Sequence, residues 1–193
     1  RKLQEAGIPT LAALARAAAD RHVPRLAPDT FERLRRQAAL QRRGREIGGP
    51  CLELLPPEAG RGFERLPPPC VGDVYFDMEG DPLHEGGLEY LFGVTWRENG
   101  ALQFRAFWAH DRGEEKRAFE AFIDWLGERR RRWPDFHVYH YAAYENSALK
   151  TLMSRHATRE DEVDALLREH RLVDLYRVVI EALVASTPSY SIK

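Results

Sequence analysis

A β-branched and aromatic run that ends in acidic residues constrains the fold of this chain more than any other feature. Residues 73–82 read DVYFDMEGDP, and a β-branched and aromatic run that leads into three acids and a Gly-Asp-Pro turn predicts a core strand with Asp77 and Glu79 at its end. Residues i and i+2 of a strand point to the same face, so Asp77 and Glu79 would present their carboxylates together. A cation that prefers oxygen ligands, such as Mg²⁺, would relieve the repulsion between them. The alternative is that the two acids only solvate a turn, which is common for an isolated Asp-x-Glu.

A second acidic element downstream strengthens the metal-site interpretation. Residues 136–152 read FHVYHYAAYENSALKTL, in which an alternating apolar stretch predicts a strand and two alanines predict a tight turn. Two spaced leucines then form one face of a helix that begins near Tyr144. Glu145 would lie at the N-terminal end of this helix and face the strand ends. His140 lies beside the turn, where it would either contact substrate or be a hydrogen-bonded core histidine.

The two acidic segments resemble motifs I and II of the DEDD exonucleases, which have a ribonuclease H-like fold. FDMEGDP and VYHYAAYENSALKTL are most similar to the YprB-type domain of proteins labelled predicted RecB-family nucleases, over about residues 71–193. The resemblance implies that Asp77 and Glu79 match the first two family acids. Glu145 matches the third, where the wider superfamily usually has Asp. The resemblance further implies hydrolysis of phosphodiester bonds with two Mg²⁺ or Mn²⁺ ions and a 3′-to-5′ polarity.

The resemblance also implies a fourth acid, with a neighbouring general base, on a later helix. We find no counterpart of either before Lys193, and we expect the chain to be a piece of a longer protein that ends before its active site is complete. Asp174, in the sequence LVDLY, resembles an aspartate that follows motif II in the family but is not this fourth acid. Supporting roles are therefore predicted for Asp174, His140 and Tyr144.

The N-terminal residues predict a small helical segment. Residues 1–19 break at Gly7 and contain Thr10 as a candidate N-cap, so two short helices joined by a tight hairpin are expected. This arrangement resembles a helix-hairpin-helix, in which Gly7 and Ile8 would approach a nucleic-acid backbone. A packing motif that joins domains is the alternative.

A longer helix with many arginines follows. It is predicted from about residue 31 to residue 45 after a cap formed by Pro28, Asp29 and Thr30, and its polar face includes Arg35 and Arg42. These arginines predict either a phosphate-tracking face or a solvated helix surface. A region rich in proline and glycine then predicts a linker. The expected organisation is a helical segment over residues 1–47, a linker over residues 48–70 and a ribonuclease H-like domain over residues 71–193.

The remaining segments predict the element order of a mixed α/β domain. Asn99-Gly100 is a strong hairpin signal and joins two further strand patterns into an antiparallel meander with the first strand. The predicted fold class is α/β, a ribonuclease H-like mixed sheet in which a parallel strand follows the meander. A small all-α segment would precede it, and the C-terminal part of the domain is expected to be missing. The other predicted elements are a short strand at 51–55, strands at 89–96, 102–109 and 136–141, and helices at 114–132, about 144–155, 160–169 and 174–186.

Composition limits the partners and the compartment. The formal net charge is -1, which argues against a globally basic nucleic-acid binder, so local patches must provide any nucleic-acid contact. No run approaches the ~18 apolar residues of a membrane span, so no membrane partner is expected. With no charged-then-apolar leader either, we expect a cytoplasmic protein. Cys51 and Cys70 lack the spacing of a metal site and predict free thiols in a reducing compartment, and a disulfide that closes the loop between them is the alternative.

Three functions are compatible with these patterns. The first is a metal-dependent nuclease that acts on DNA or RNA. The second is a PD-(D/E)xK nuclease in which Asp77 pairs with Glu114, Glu115 and Lys116, although that motif needs a strand where the sequence predicts a helix start. The third is a non-enzymatic nucleic-acid-binding or coupling module, fused to a helicase domain in the intact protein.

Overall fold

The computed structural model describes residues 1–192, and this part of the chain forms two compact units. The larger unit comprises Leu66–Arg177, and the smaller one combines Arg1–Arg65 with the residues from Val178 onward. In chain order the elements are α1 (Lys2–Glu5), α2 (Leu11–Arg16), α3 (Pro28–Ile47), β1 (Leu52–Leu54), a 3₁₀ turn (Gly62–Arg65), β2 (Val74–Asp81), β3 (Leu88–Glu98), β4 (Ala101–Trp108), α4 (Arg112–Arg132), β5 (Val138–His140), α5 (Tyr144–His156), α6 (Glu160–Arg168), β6 (Leu172–Asp174), α7 (Leu175–Ala182) and β7 (Leu183–Ala185).

Five strands of the larger unit form one mixed sheet in the order β4-β3-β2-β5-β6. β3 pairs antiparallel with both β2 and β4, whereas β5 pairs in parallel with β2 and with β6. The hairpin between β3 and β4 turns at Asn99 and Gly100, whose positive φ angles of 50° and 81° suit a two-residue connection. The predicted α/β class, a meander followed by a parallel strand and preceded by a helical segment, is confirmed.

Helix α4 covers one face of this sheet. Its Phe122 stacks on Phe76 of β2 with ring centroids 4.4 Å apart, and it also contacts Phe92 of β3 and Phe107 of β4. Each fully buried aromatic ring of this kind contributes about 1.5–3 kcal/mol. Apolar residues of α5 and α6 join the same cluster. Because side chains alternate between the two faces of a strand, the other residues of β2 lie on the face that α4 does not cover.

The C-terminal part of the sheet differs from the prediction. Strand β6 was not predicted, because its three residues are too few to show an alternating pattern. The helix predicted over 174–186 ends at Ala182, and the chain continues as β7. No glycine or proline marks this change, since Leu183 and Val184 extend the apolar run of the helix.

The helices of the smaller unit pack around a small apolar cluster. Thr10 caps α2 as predicted, because its hydroxyl accepts a hydrogen bond from the Ala13 amide at 3.1 Å. The predicted cap of α3 is wrong: the helix already begins at Pro28, and Ala27 is its N-cap without a side-chain hydrogen bond. Proline is well suited to this first position, since its missing N–H would be unpaired there. The buried centre of the cluster consists of Ile8, Leu14, Val23, Phe31 and Ala38.

A separate two-stranded sheet in the smaller unit pairs β1 antiparallel with β7. Gln37 of α3 contacts it through its Nε2 atom, which donates to the Ala185 carbonyl oxygen at 2.5 Å. The hydroxyl of Tyr190 donates to Oε1 of Gln37 at 2.8 Å. These bonds connect the C-terminal strand to the N-terminal helices within this unit.

The helices within residues 1–192 include none with the length and apolar character that crossing a membrane requires.

Candidate functional site

Strand β2 carries the two predicted motif I acids on the face of the sheet that α4 does not cover. Its residues Val74, Phe76 and Met78 are buried, so the alternation of the strand directs Asp77 and Glu79 to the other side. Asp77 is exposed and Glu79 is partly exposed. The pairing register with β3 shifts directly after Glu79, at a β-bulge. Bulges commonly re-aim a side chain at the end of a strand.

The third acid, Glu145, lies in the first turn of α5 and is only 3% exposed. Its Oε2 atom is buried and has no hydrogen-bond partner among residues 1–192. The Nδ1 atom of His140 is 3.5 Å from this oxygen. A buried carboxylate oxygen without a partner costs about 1–3 kcal/mol. It is also the kind of donor atom that a divalent cation binds.

His140 ends β5 and is only 2% exposed. Its Nδ1 atom lies 2.7 Å from the carbonyl oxygen of Ala142, so Nδ1 carries the proton and donates to that oxygen. Its Nε2 atom is buried and unpaired within the described part of the chain. This burial favours the hydrogen-bonded core histidine of the two predicted alternatives over a direct contact with substrate.

Asp174 is paired with His140 in the register between β6 and β5. Its Oδ1 atom accepts hydrogen bonds from the amides of Ala142 and Tyr176, both at 2.9 Å. Asp174 therefore shapes the turn that leads from β5 into α5. The supporting role of Asp174 at a catalytic site stays a prediction.

Tyr144 links the acids of two elements. Burial raises the pKa of its hydroxyl, and so do the hydrogen bond that it donates to Glu89 and the negative charges of Glu89, Glu145 and Glu79. One hydroxyl therefore lies within electrostatic reach of both Glu79 on β2 and Glu145 on α5. The β2–β5 register, in which Tyr75 pairs with Tyr139, places beside β2 the strand that leads into α5.

The fit of a metal ion depends on how many ligands it needs. Within residues 1–192, no three His, Cys, Asp or Glu side chains are grouped so that they could hold one ion. Mg²⁺, however, is commonly bound through one or two carboxylates and completes its shell with water and substrate phosphate. The accessible carboxylates of Asp77 and Glu79 and the unpaired Oε2 of Glu145 suit that mode of binding. Asp77 and Glu79, on one face of β2, therefore fit a hard divalent cation that takes two protein carboxylates, whereas the predicted three-acid site with Glu145 is not grouped within residues 1–192.

Comparison with known protein families places these residues in a wider group. The family model RNase_H_2, of the RNase_H superfamily, matches residues 74–193, which is more than half of the chain. The chain belongs to the RNase H superfamily. No curated protein and no solved structure matches it significantly. The superfamily suggests nuclease-type hydrolysis of nucleic acid, and its nucleases generally use divalent metal ions.

The RNase H superfamily match begins at the first residue of β2 and includes all three predicted acids.

The PD-(D/E)xK alternative requires a strand at residues 114–116. These residues lie in the first turns of α4, after Asp111, whose side chain accepts a hydrogen bond from the Glu114 amide at 2.7 Å. The PD-(D/E)xK arrangement therefore does not fit this chain.

A buried acid of the RNase H domain has a role that the sequence patterns did not predict. Glu115 is fully buried and accepts hydrogen bonds from Arg112 at 2.6 Å, from the Glu89 amide at 2.7 Å and from His156 at 2.8 Å. Burial raises the pKa of this carboxyl, but the bonds from Glu89, Arg112 and His156 outweigh burial and lower it. In the sequence Glu115 looks like an ordinary acid in the first turn of a helix, so no local signal predicts these contacts.

Residues 1–73 lie outside the RNase H superfamily match. The predicted phosphate contact by the hairpin is not favoured by the hydrogen bonds found there. The Gly7 amide donates to Gln4 at 3.0 Å and the Ile8 amide donates to Leu3 at 2.8 Å, so both amides close the end of α1. The Ile8 side chain is buried as well.

The two arginines of α3 that were predicted to bind nucleic acid each have an acidic partner on the same helix. Arg35 forms a bidentate pair with Glu32, at 2.7 and 2.9 Å. Arg42 lies 3.2 Å from Glu46. Such pairs reduce the net positive charge of the helix surface, which favours the solvated-surface alternative.

Proposed function

We propose that this RNase H superfamily chain contributes a metal-dependent nuclease site of the DEDD type that hydrolyses phosphodiester bonds of DNA. The observation that carries the proposal is the buried Oε2 atom of Glu145, which has no hydrogen-bond partner within residues 1–192. Glu145 lies in α5, and this helix follows β5, the strand that pairs in parallel with β2 and its two acids. The resemblance to the YprB-type group of predicted RecB-family nucleases supports it and adds the 3′-to-5′ polarity.

Each acid has a distinct task in this proposal. Asp77, the most exposed of the three, would bridge two ions, and Glu79 would bind the first of them. Glu145 would bind the second ion directly or through water. When two Mg²⁺ or Mn²⁺ ions are bound at such a site, they activate a water molecule and stabilise the leaving oxygen. Asp77 and Tyr75 lie on the same face of β2 and are exposed, so a nucleic-acid strand would be able to reach them.

The surroundings of the acids would orient them. The His140 imidazole next to Glu145 is held by the Ala142 carbonyl, so its ring is not free to rotate toward a substrate. Asp174 fixes the turn before α5 and stays outside direct metal contact in this proposal. DEDD sites also have a fourth acid and a general base, and we propose no residue among those described for either role.

Mn²⁺ binding tests the proposal more directly than a rate does. Isothermal titration with MnCl₂ is expected to detect binding that D77N and E145Q each weaken by at least about 10-fold, because each removes a charged ligand. E128Q, which changes an exposed acid of α4, is the matched control and should bind as the unaltered chain does. Equal Mn²⁺ affinity in all four proteins would refute the proposal.

A second candidate function is a non-catalytic nucleic-acid-binding or coupling module. It is favoured by the lack of a grouped set of three metal-binding side chains within residues 1–192. Such a module should bind labelled single-stranded DNA equally well in EDTA and in Mn²⁺, and D77N should not alter its affinity. Parallel titrations with RNA of the same sequence would establish which nucleic acid it prefers. A helicase domain as a partner remains a prediction from the resemblance.

A further inference from the structure

Both ends of helix α5 are connected to Glu89, at the start of β3. At the N-terminal end, the hydroxyl of Tyr144 donates to the Glu89 carboxylate, whose two oxygens lie 2.8 and 3.0 Å away. Glu145 follows Tyr144 directly in the chain. The hydrogen bond therefore acts one residue away from the acid whose Oε2 atom is unpaired.

The contact between Tyr144 and Glu89 passes over β2 at Gly80. A Cβ atom at Gly80 would lie 2.4 Å from the Tyr144 hydroxyl and 2.6 Å from Oε2 of Glu89. A side chain at Gly80 would therefore displace the Tyr144 hydroxyl or the Glu89 carboxylate, so glycine leaves room for this close approach. Gly80 directly follows Glu79 and lies at the β-bulge of the strand. The hydrogen bond consequently crosses β2 immediately beside one of the proposed metal ligands.

The C-terminal end of α5 reaches Glu89 through Glu115. Arg155 and His156, the last two residues of the helix, lie 3.3 and 2.8 Å from oxygens of the Glu115 carboxylate. The same carboxylate accepts the Glu89 amide at 2.7 Å. Hydrogen bonds to a buried charged acceptor are stronger than neutral ones. One residue of β3 thus holds α5 by its side chain at one end and by its backbone at the other.

We infer that Glu89 and Tyr144 are positioning residues that fix Glu145 relative to the acids of β2, an inference that rests on the proposed metal-binding function. β3 pairs along its length with β2, so a helix fastened to β3 has a defined position relative to Asp77 and Glu79. Side chains that orient metal ligands typically change metal affinity about 10–100-fold when they are removed. Without the Tyr144 hydroxyl, the first turn of α5 is less constrained and Glu145 contributes less to Mn²⁺ binding.

A double-mutant cycle in Mn²⁺ affinity tests the inference. Y144F should weaken Mn²⁺ binding about 10-fold on its own. In an E145Q background it should cause no further loss, because its effect passes through Glu145. The same loss in both backgrounds would overturn the inference, since Y144F would then act on the fold or on the other ligands.

Substitutions of Glu89 test whether it acts as the hydrogen-bond acceptor that positions Tyr144 or through its negative charge. E89Q keeps an acceptor for the Tyr144 hydroxyl and should retain most of the Mn²⁺ affinity, whereas E89A should match Y144F. E98Q, which changes an acid at the other end of β3, is the control and should bind as the unaltered chain does. If E89Q loses as much affinity as E89A, Glu89 acts through its charge and the positioning role is wrong.

Hydrogen exchange without metal provides a readout that does not depend on Mn²⁺ binding. Y144F should accelerate exchange of the Ser147 amide, which donates to Ala143 in the first turn of α5. D77N should leave this exchange rate unchanged. An unchanged rate in Y144F would contradict the inference. Failure of the proposed function would be seen separately, as Mn²⁺ binding that D77N does not alter.

Discussion

The carboxylate of Asp174 accepts a hydrogen bond from the amide of Ala142 at 2.9 Å. Ala142 has a φ of 77°, in the left-handed region that residues other than glycine enter at a cost of about 1–2 kcal/mol. The same oxygen of Asp174 accepts the Tyr176 amide, which belongs to the first turn of α7. The turn before α5 is therefore held in a strained conformation by the neighbouring parallel strand, β6.

Replacing Asp174 with alanine should destabilise the chain by about 1.5–3 kcal/mol, the usual range for hydrogen bonds to a charged acceptor. Mn²⁺ affinity should fall as well, because the turn sets the start of the helix that carries Glu145. D174N keeps an acceptor oxygen, so it should lose less stability and less Mn²⁺ affinity than D174A. Urea denaturation and Mn²⁺ titration measure the two effects.

The control for this prediction is D164A, which removes an exposed acid of α6 that pairs with Arg168. Exposed ion pairs of this kind contribute about 0–1 kcal/mol. A loss of stability in D164A as large as that in D174A would contradict the special role assigned to Asp174.

Glu115 should make the free energy of unfolding depend on pH in the acid range. Its pKa is lowered in the folded chain from an ordinary value of 4.5, because the hydrogen bonds from Glu89, Arg112 and His156 outweigh the effect of burial. A carboxyl with a lowered folded pKa stabilises the protein above its unfolded pKa and loses this contribution as the pH falls through its folded pKa. The contribution is thus complete above about pH 4.5 and declines below it.

E115Q should therefore reduce the free energy of unfolding at pH 6 by about 1–3 kcal/mol. The difference from the unaltered chain should shrink as the pH is lowered from 4.5 toward 3. Urea denaturation at a series of pH values measures this difference. A constant difference over that range would show that the loss comes from packing and not from the charge of Glu115.

The central sheet could be predicted because its first three strands carry strong local signals. β2, β3 and β4 each contain at least eight residues, which is long enough for their aromatic and β-branched composition to be recognised. Asn99-Gly100 marks the hairpin between two of them. The spacing of apolar residues along α4 also matches its single covered face.

The features that could not be predicted depend on contacts between distant residues. Glu89 and Glu115 are separated by 26 positions, and no local pattern indicates that one carboxylate accepts the amide of the other residue. The link between Tyr144 and Glu89 joins positions 55 apart and passes a glycine on a third element, where a side chain would displace it. The short strands β6 and β7 exist because they pair with β5 and β1, and their own residues do not distinguish them from a helix.

Glu145→Gln should stabilise the chain in the absence of metal and weaken its proposed stabilisation by metal. The Oε2 atom of Glu145 is buried and has no hydrogen-bond partner within residues 1–192, and the closest His140 nitrogen already donates to Ala142. Removing the charge should therefore raise the free energy of unfolding in EDTA by about 1 kcal/mol. Mn²⁺ should raise the melting temperature of the unaltered chain, because a ligand that binds only the folded state stabilises it. E145Q should lose most of this increase, whereas E128Q should keep it and gain no stability in EDTA. If E145Q is less stable than the unaltered chain in EDTA and still responds fully to Mn²⁺, the unpaired oxygen does not belong to a cation site.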